Sequence, residues 1–303
     1  MTTETAPPLA TELITTGKAL GRRRRRPGGA TVRSILKHVV LVVVSIVMLY
    51  PLIWLVVSSL KPNDEIFRDL SIFTTDLTLD NYISGWNGLQ QPFALYLGNS
   101  MIISVGAIIG NLISCSLAAF AFARLRFRYR NLWFAVMLTG IMLPFQVVLI
   151  PQFVIFQQLG WLNTFLPLIV PKFLATDAFF VFLMVQFIRA LPTEIFEAAR
   201  IDGAGHFRIY AQITLPLMVP AIATTAIFTF IWTWGDFFGP LIYLRIPEMF
   251  PAQVALKGFL DAQESSNYGA MFAMSVVSLL PLFIVFLVGQ RFLLRGFATT
   301  GIK

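Results

Sequence analysis

The stretch "LPTEIFEAARIDGAGHFRIYAQITLP", Leu191–Pro216, is a polar island between segments apolar enough for lipid. Pro192 interrupts any helix that reaches it, and Thr193 is placed to cap a new one, with Glu194 and Glu197 in turns where the helix dipole favours acids. That helix is expected to run to about Ile201. Gly203 then suits a left-handed residue that ends it. A second helix is expected from about Ala204, because Phe207, Tyr210, Ala211 and Thr214 follow the i, i+3, i+4, i+7 spacing of one apolar face. Asp202 is a candidate cap for it. A helix–glycine–helix held between two spans fits a groove on a soluble partner. It equally fits an amphipathic pair lying on lipid headgroups, and amphipathicity alone does not choose between them.

The rest of the chain supplies the spans. Of 303 residues, 57% are hydrophobic and 13% charged, where a soluble domain carries roughly 25% charged residues. Mean hydropathy is +0.76. Six segments approach the length of about 20 apolar residues that a bilayer requires: 35–60, 98–122, 132–156, 165–188, 217–243 and 271–292. The first is too long for a signal peptide core and lacks an A-x-A site, so it reads as a span. The connecting segments alternate in basic content. One side carries "RRRRR" at Arg22–Arg26, "RLRFRYR" with Arg124, Arg126, Arg128 and Arg130, then Arg189, Arg200 and Arg208, and a C-terminus with Arg291, Arg295 and Lys303. The other carries only Lys61, Arg68, Arg245 and Lys257. The positive-inside rule therefore puts both termini and the Glu197 loop in the cytoplasm, as an even number of spans requires.

The net charge of +8 is thus accounted for by topology and contact with anionic lipid, with no call for nucleic acid. Residues 1–34 read as a disordered basic tail and 35–303 as the membrane domain. Within that domain, 61–97 reads as an ordered external cap and 189–216 as the cytoplasmic loop. The single cysteine, Cys115, lies in an apolar segment and reads as packing; with only two histidines, His38 and His206, no metal-ligand spacing exists. No P-loop, nucleophile–base set or catalytic acid pair is present.

The loop resembles the signature loop of permease subunits in bacterial binding-protein-dependent ATP-binding-cassette importers. Glu197, Ala198, Ala199, Gly203, Ile213, Leu215 and Pro216 stand at its fixed positions. "MLPFQVVLIPQF", "LGWLNTFLPLIVP", "ITLPLMVPAI" and the closing "GFATTGIK" are similar to the carbohydrate permeases of maltose type, the shorter of the two permeases. The similarity begins at about residue 35. It implies an all-α integral membrane protein of six transmembrane helices, with the type I importer permease fold and a cytoplasmic coupling helix. It also implies a second permease, two ATPase subunits that hold the ATP and Mg, and an extracytoplasmic binding protein, with no cofactor and no catalysis in this chain. Glu197 would pair with a basic residue of the ATPase, Ala198 and Ala199 would permit close approach, Gly203 would set the angle of the projection, and Ile213 and Leu215 would anchor its return. Many relatives have Trp-Asn-Asp where this chain has "WTWGDFFGP", with Gly235 in place of Asn. A substrate contact there does not transfer directly.

Ionisable groups within spans are costly and point to the transport path. Lys172, Asp177 and Asp236 are the candidates, joined by Trp234 and Gln146. Lys172 and Asp177, five residues apart, lie about 140° apart on a continuous helix, which disfavours direct pairing. Trp232, Trp234, Phe237 and Phe238 suit either sugar stacking or an interfacial aromatic belt. A non-sugar solute such as a phosphorylated polyol is the alternative cargo. A secondary transporter has intramembrane charge but no need of the loop, and a membrane enzyme requires a catalytic cluster that is absent.

Overall fold

The computed structural model describes residues 28–72, 74, 76–260 and 266–298. Contacts divide the chain into two units, Met1–Pro51 and Leu52–Lys303. Most of the basic tail, expected to be disordered, lies outside the described residues, and the described chain is helical from Gly28. Helix α1 covers Gly28–Ser58. Six consecutive apolar residues, Val39–Val44, are exposed. Six residues cover every side of a helix, as a lipid-facing span requires.

In the second unit, α2 (Asp80–Asn87) and α3 (Phe93–Arg124) are followed by α4 (Arg130–Met142) and α5 (Phe145–Gln158). The third expected span is not straight: α4 and α5 meet at 101°. Pro144 has no N–H for the helix and holds Leu143 extended, at ψ 121°. The fourth also breaks. A short α6 (Leu166–Ile169) runs into a 3₁₀ turn, Val170–Leu174, then Ala175 at φ +53°, before α7 (Ala178–Ala190). The loop forms α8 (Thr193–Ile201), α9 (His206–Ile209), a π-helical turn Tyr210–Thr214 and α10 (Leu215–Leu217). Then come α11 (Val219–Trp234), α12 (Phe238–Tyr243), α13 (Ala252–Ala255) and α14 (Tyr268–Ala298). Four helical stretches are long and apolar enough to cross a membrane, or six if the bent pairs α4–α5 and α9–α11 each count as one span. The described residues form no strand.

Two clusters organise this unit. In one, Cys115, Ala119 and Phe120 of α3 pack with Phe180, Met184 and Ile188 of α7 and with Phe196 of α8, all buried. In the other, Phe93 and Tyr96 of α3 pack with Phe259, Ala270 and Met274.

The segment between α1 and α3 is built around Lys61, which is fully buried. Its ammonium donates to the carbonyls of Asp69 and Ser71 at 2.7 Å each, and Asn81 donates to the carbonyls of Ser59 and Lys61. The Asp69 carboxylate accepts from the backbone N–H and hydroxyl of Ser71, and these bonds, aided by Lys61, hold its pKa below the ordinary 3.8. A depressed folded-state value means that the unfolded chain binds more protons, so this stabilisation is complete above the ordinary value and is lost as pH falls through the folded one. Limited proteolysis of purified protein is expected to show 61–97 protected at pH 7 and opening first below about pH 4. Asp69→Asn should remove that pH dependence.

Candidate functional site

The loop owes its shape to local chemistry. Pro192, at φ −55° and ψ 132°, occupies the cap position of α8, which makes Thr193 the first helical residue with no side-chain cap bond. The expected Thr193 cap is therefore absent. After Ile201, the N–H of Gly203 bonds to the carbonyl of Arg200 and that of Ala204 to the carbonyl of Ala199. This closes a Schellman turn with Gly203 at φ +78°. Asp202 ends α8 rather than capping α9, whose cap position is Gly205.

The expected apolar face of the second helix splits. Tyr210 and Thr214 are buried, but Phe207 is 77% exposed. The π turn inserts an extra residue, which shifts the phase after Ile209. Glu197 and Ala198 face solvent on α8 while Ala199 packs inward with Phe196, and Ile213 and Leu215 lie partly buried against the same core. Pro216 is exposed. Ile201, on the other side of Gly203 from Phe207, is 87% exposed. The sequence reading did not single out this residue; an apolar side chain directly before the Asp-Gly turn was the available signal.

Arg124 fastens the loop to α3. Its guanidinium donates to the carbonyls of Ile188 and Leu191 at 2.6 and 2.8 Å and lies 3.8 Å from the centre of the Phe196 ring. The hydroxyl of Tyr210, in the loop, shares a hydrogen bond of 2.8 Å with that of Ser116 on α3. Arg124→Ala takes a charged donor from two carbonyls at the end of α7, of which Ile188 keeps only the N–H of Leu191, and removes the cation–π contact. A loss of about 2–3 kcal/mol in unfolding free energy is expected, measurable by thermal unfolding in detergent.

Further along α3, Asn111 donates to Asp177 at 2.6 Å and to Thr229 at 3.1 Å. The Lys172 ammonium reaches both carboxylate oxygens of Asp177, at 3.1 and 2.9 Å. The pairing that a continuous helix disfavours is therefore made. The 3₁₀ turn and the left-handed Ala175 fold residue 172 back over the start of α7. Ser114 binds the carbonyl of Lys172, and Gly110 lets this turn approach: a Cβ there would lie 3.0 Å from the Lys172 backbone.

Beside this pair lies a cavity of about 430 Å³, lined by Phe145, Leu168, Lys172, Trp232, Thr233 and Asp236 among others. The structure thus groups Lys172, Asp177 and Asp236 but not the other two candidates. Trp234 is buried, stacks on Phe230 and donates to the carbonyl of Ser278 at 2.9 Å. It lies about 200° around α11 from Trp232, which lines the cavity in its place. Gln146 is exposed and contributes nothing to the lining, whereas its neighbour Phe145 does. The described residues hold no group of three or more His, Cys, Asp or Glu that would bind a metal.

Broken spans around a partly polar cavity, with a rigid helix–glycine–helix projecting from them, define a multi-pass helical transport component. The chain belongs to the family described as binding-protein-dependent transport system inner membrane component, whose pattern matches residues 110–298. It is 32% identical over 263 residues to the arabinooligosaccharides transport system permease protein AraQ of Halalkalibacterium halodurans, covering 86% of this chain and 93% of that one. It is 31% identical to the diacetylchitobiose uptake system permease protein NgcG of Streptomyces coelicolor, over 84% of each chain. The fold is that of a bacterial ABC transporter involved in import of the acidic polysaccharide alginate, with a TM-score of 0.76 at 24% identity over 87% of this chain and 97% of that one. The chain is therefore a permease of the type I importer fold, a transport component and not an enzyme.

Proposed function

We propose that this permease carries a carbohydrate across a bacterial inner membrane, driven by ATP that partner ATPase subunits hydrolyse. The observation that carries this reading is the loop. Gly203 holds α8 and α9 at a fixed angle, and Glu197, Ala198, Ile201 and Phe207 are exposed outside the spans. Two large apolar side chains in water next to a rigid turn suit a hydrophobic cleft on a protein partner, rimmed by a base for Glu197. Ala199, Ile213 and Leu215 connect that face to the core, so docking force reaches α3 and α7.

The alternation of basic loops supports both termini and this loop on the cytoplasmic side, where ATP and its Mg are held by the ATPase and none by this chain. The carbohydrate assignment is supported by the arabinooligosaccharide and diacetylchitobiose relatives and by Trp232 beside polar groups in the cavity. An extracytoplasmic binding protein delivers the sugar, a role that the family description supports, and a second permease completes the path. The test is gentle detergent purification of the tagged chain from its native membrane, with every accompanying protein identified. An ATPase and a second permease are expected. Recovery of the chain alone, under conditions that keep other membrane complexes intact, overturns the reading.

A further inference from the structure

We propose that the cavity beside Trp232 is a subsite for one neutral sugar ring that excludes anionic sugars, and that Asp236 sets the exclusion. The inference rests on the carbohydrate reading above and adds to it a charge rule within the membrane.

Only two charged residues line the cavity, Lys172 and Asp236. Lys172 already has a carboxylate: Asp177 takes its ammonium with both oxygens, and Asn111 holds Asp177 in turn. An anion arriving at Lys172 finds that place filled. Asp236 forms no ion pair among the described residues, whose salt bridges are Lys61–Asp69 and Lys172–Asp177. The three groups together carry one net negative charge.

Asp236 is also fixed in place. Its Oδ1 accepts the N–H of Gly239 at 3.2 Å, and a Cβ on Gly239 would lie 2.6 Å from Oδ2. The carboxylate therefore rests over a residue that must lack a side chain. A neutral ring sets a hydroxyl against Asp236 as donor and an apolar face against Trp232, which is half exposed. A uronate or phosphorylated sugar instead brings like charge next to Asp236 in a partly enclosed cavity, where repulsion is screened less than in open water.

The probes are glucose and glucuronate, which share a ring and differ at C6. They are titrated at constant ionic strength into the importer purified with its partner subunits and without binding protein, with thermal protection as the readout. Half-saturation is expected to need at least about tenfold more glucuronate than glucose. Asp236→Asn keeps the oxygen that caps Gly239 and removes the charge, and should bring the ratio to about threefold or less. Trp232→Ala should weaken both sugars together. Equal binding of the two sugars, a ratio unchanged by Asp236→Asn, or binding of neither sugar overturns the subsite. Failure of the underlying importer reading shows separately, as the absence of an ATPase from the purified complex.

Discussion

Gly203→Val is expected to reduce uptake to about one-tenth or less while the protein still inserts and accumulates. Gly203 sits at φ +78° with nothing within 4 Å of where a Cβ would stand, so the penalty is wholly in the backbone. The left-handed region costs an L-residue about 1–2 kcal/mol, and a β-branched one more. About 1.4 kcal/mol is a factor of ten in the population of the docking-competent turn. Asn tolerates this region, so Gly203→Asn should retain most transport. The exposed Glu197 offers a second variant: Glu197→Lys reverses a charge at the same face without touching the turn. Uptake of the cognate sugar in cells, with membrane abundance measured alongside, checks both. Normal uptake with Gly203→Val and Glu197→Lys removes the docking assignment.

Breaking the Lys172–Asp177 pair from one side should have the larger effect on stability. Asp177→Asn leaves an ammonium among helices without its counter-ion, and Lys172→Met leaves a carboxylate with only Asn111. Unpairing a buried charge costs about 3–5 kcal/mol. The two side chains keep 29% and 24% exposure, which lowers the expected loss to about 2–4 kcal/mol for each single variant. The double variant Lys172→Met/Asp177→Asn removes both charges and should be less destabilised than the sum by at least about 1 kcal/mol. Thermal unfolding of the four purified proteins in one detergent closes the cycle. Strict additivity means that the pair is solvated and not structural. Because Asn111 lies on α3, between the Arg124 anchor and the cavity, the same cycle measured on ATPase stimulation reports whether this contact lies on the path of coupling.

Much of this molecule was legible in one dimension. Runs of apolar residues specify spans because a bilayer has one thickness. The loop was legible for a similar reason: Pro192 ends one helix, Gly203 ends the next, and both act through their own backbone and the residues beside them. Pattern failed wherever a break rotated what followed it. Pro144 bends the third span by 101°, and the 3₁₀ turn before Ala175 brings Lys172 onto Asp177, which helical spacing had set apart. The π turn shifts the helical phase beyond Ile209, and the phase of α11 faces Trp232 rather than Trp234 to the cavity. By itself the sequence determined an all-helical membrane permease with a polar helix–glycine–helix loop between two spans. Only the tertiary structure decided which of its charges pair and which one is left facing the cavity, because a side chain's partner is fixed by how broken helices pack and not by its distance along the chain.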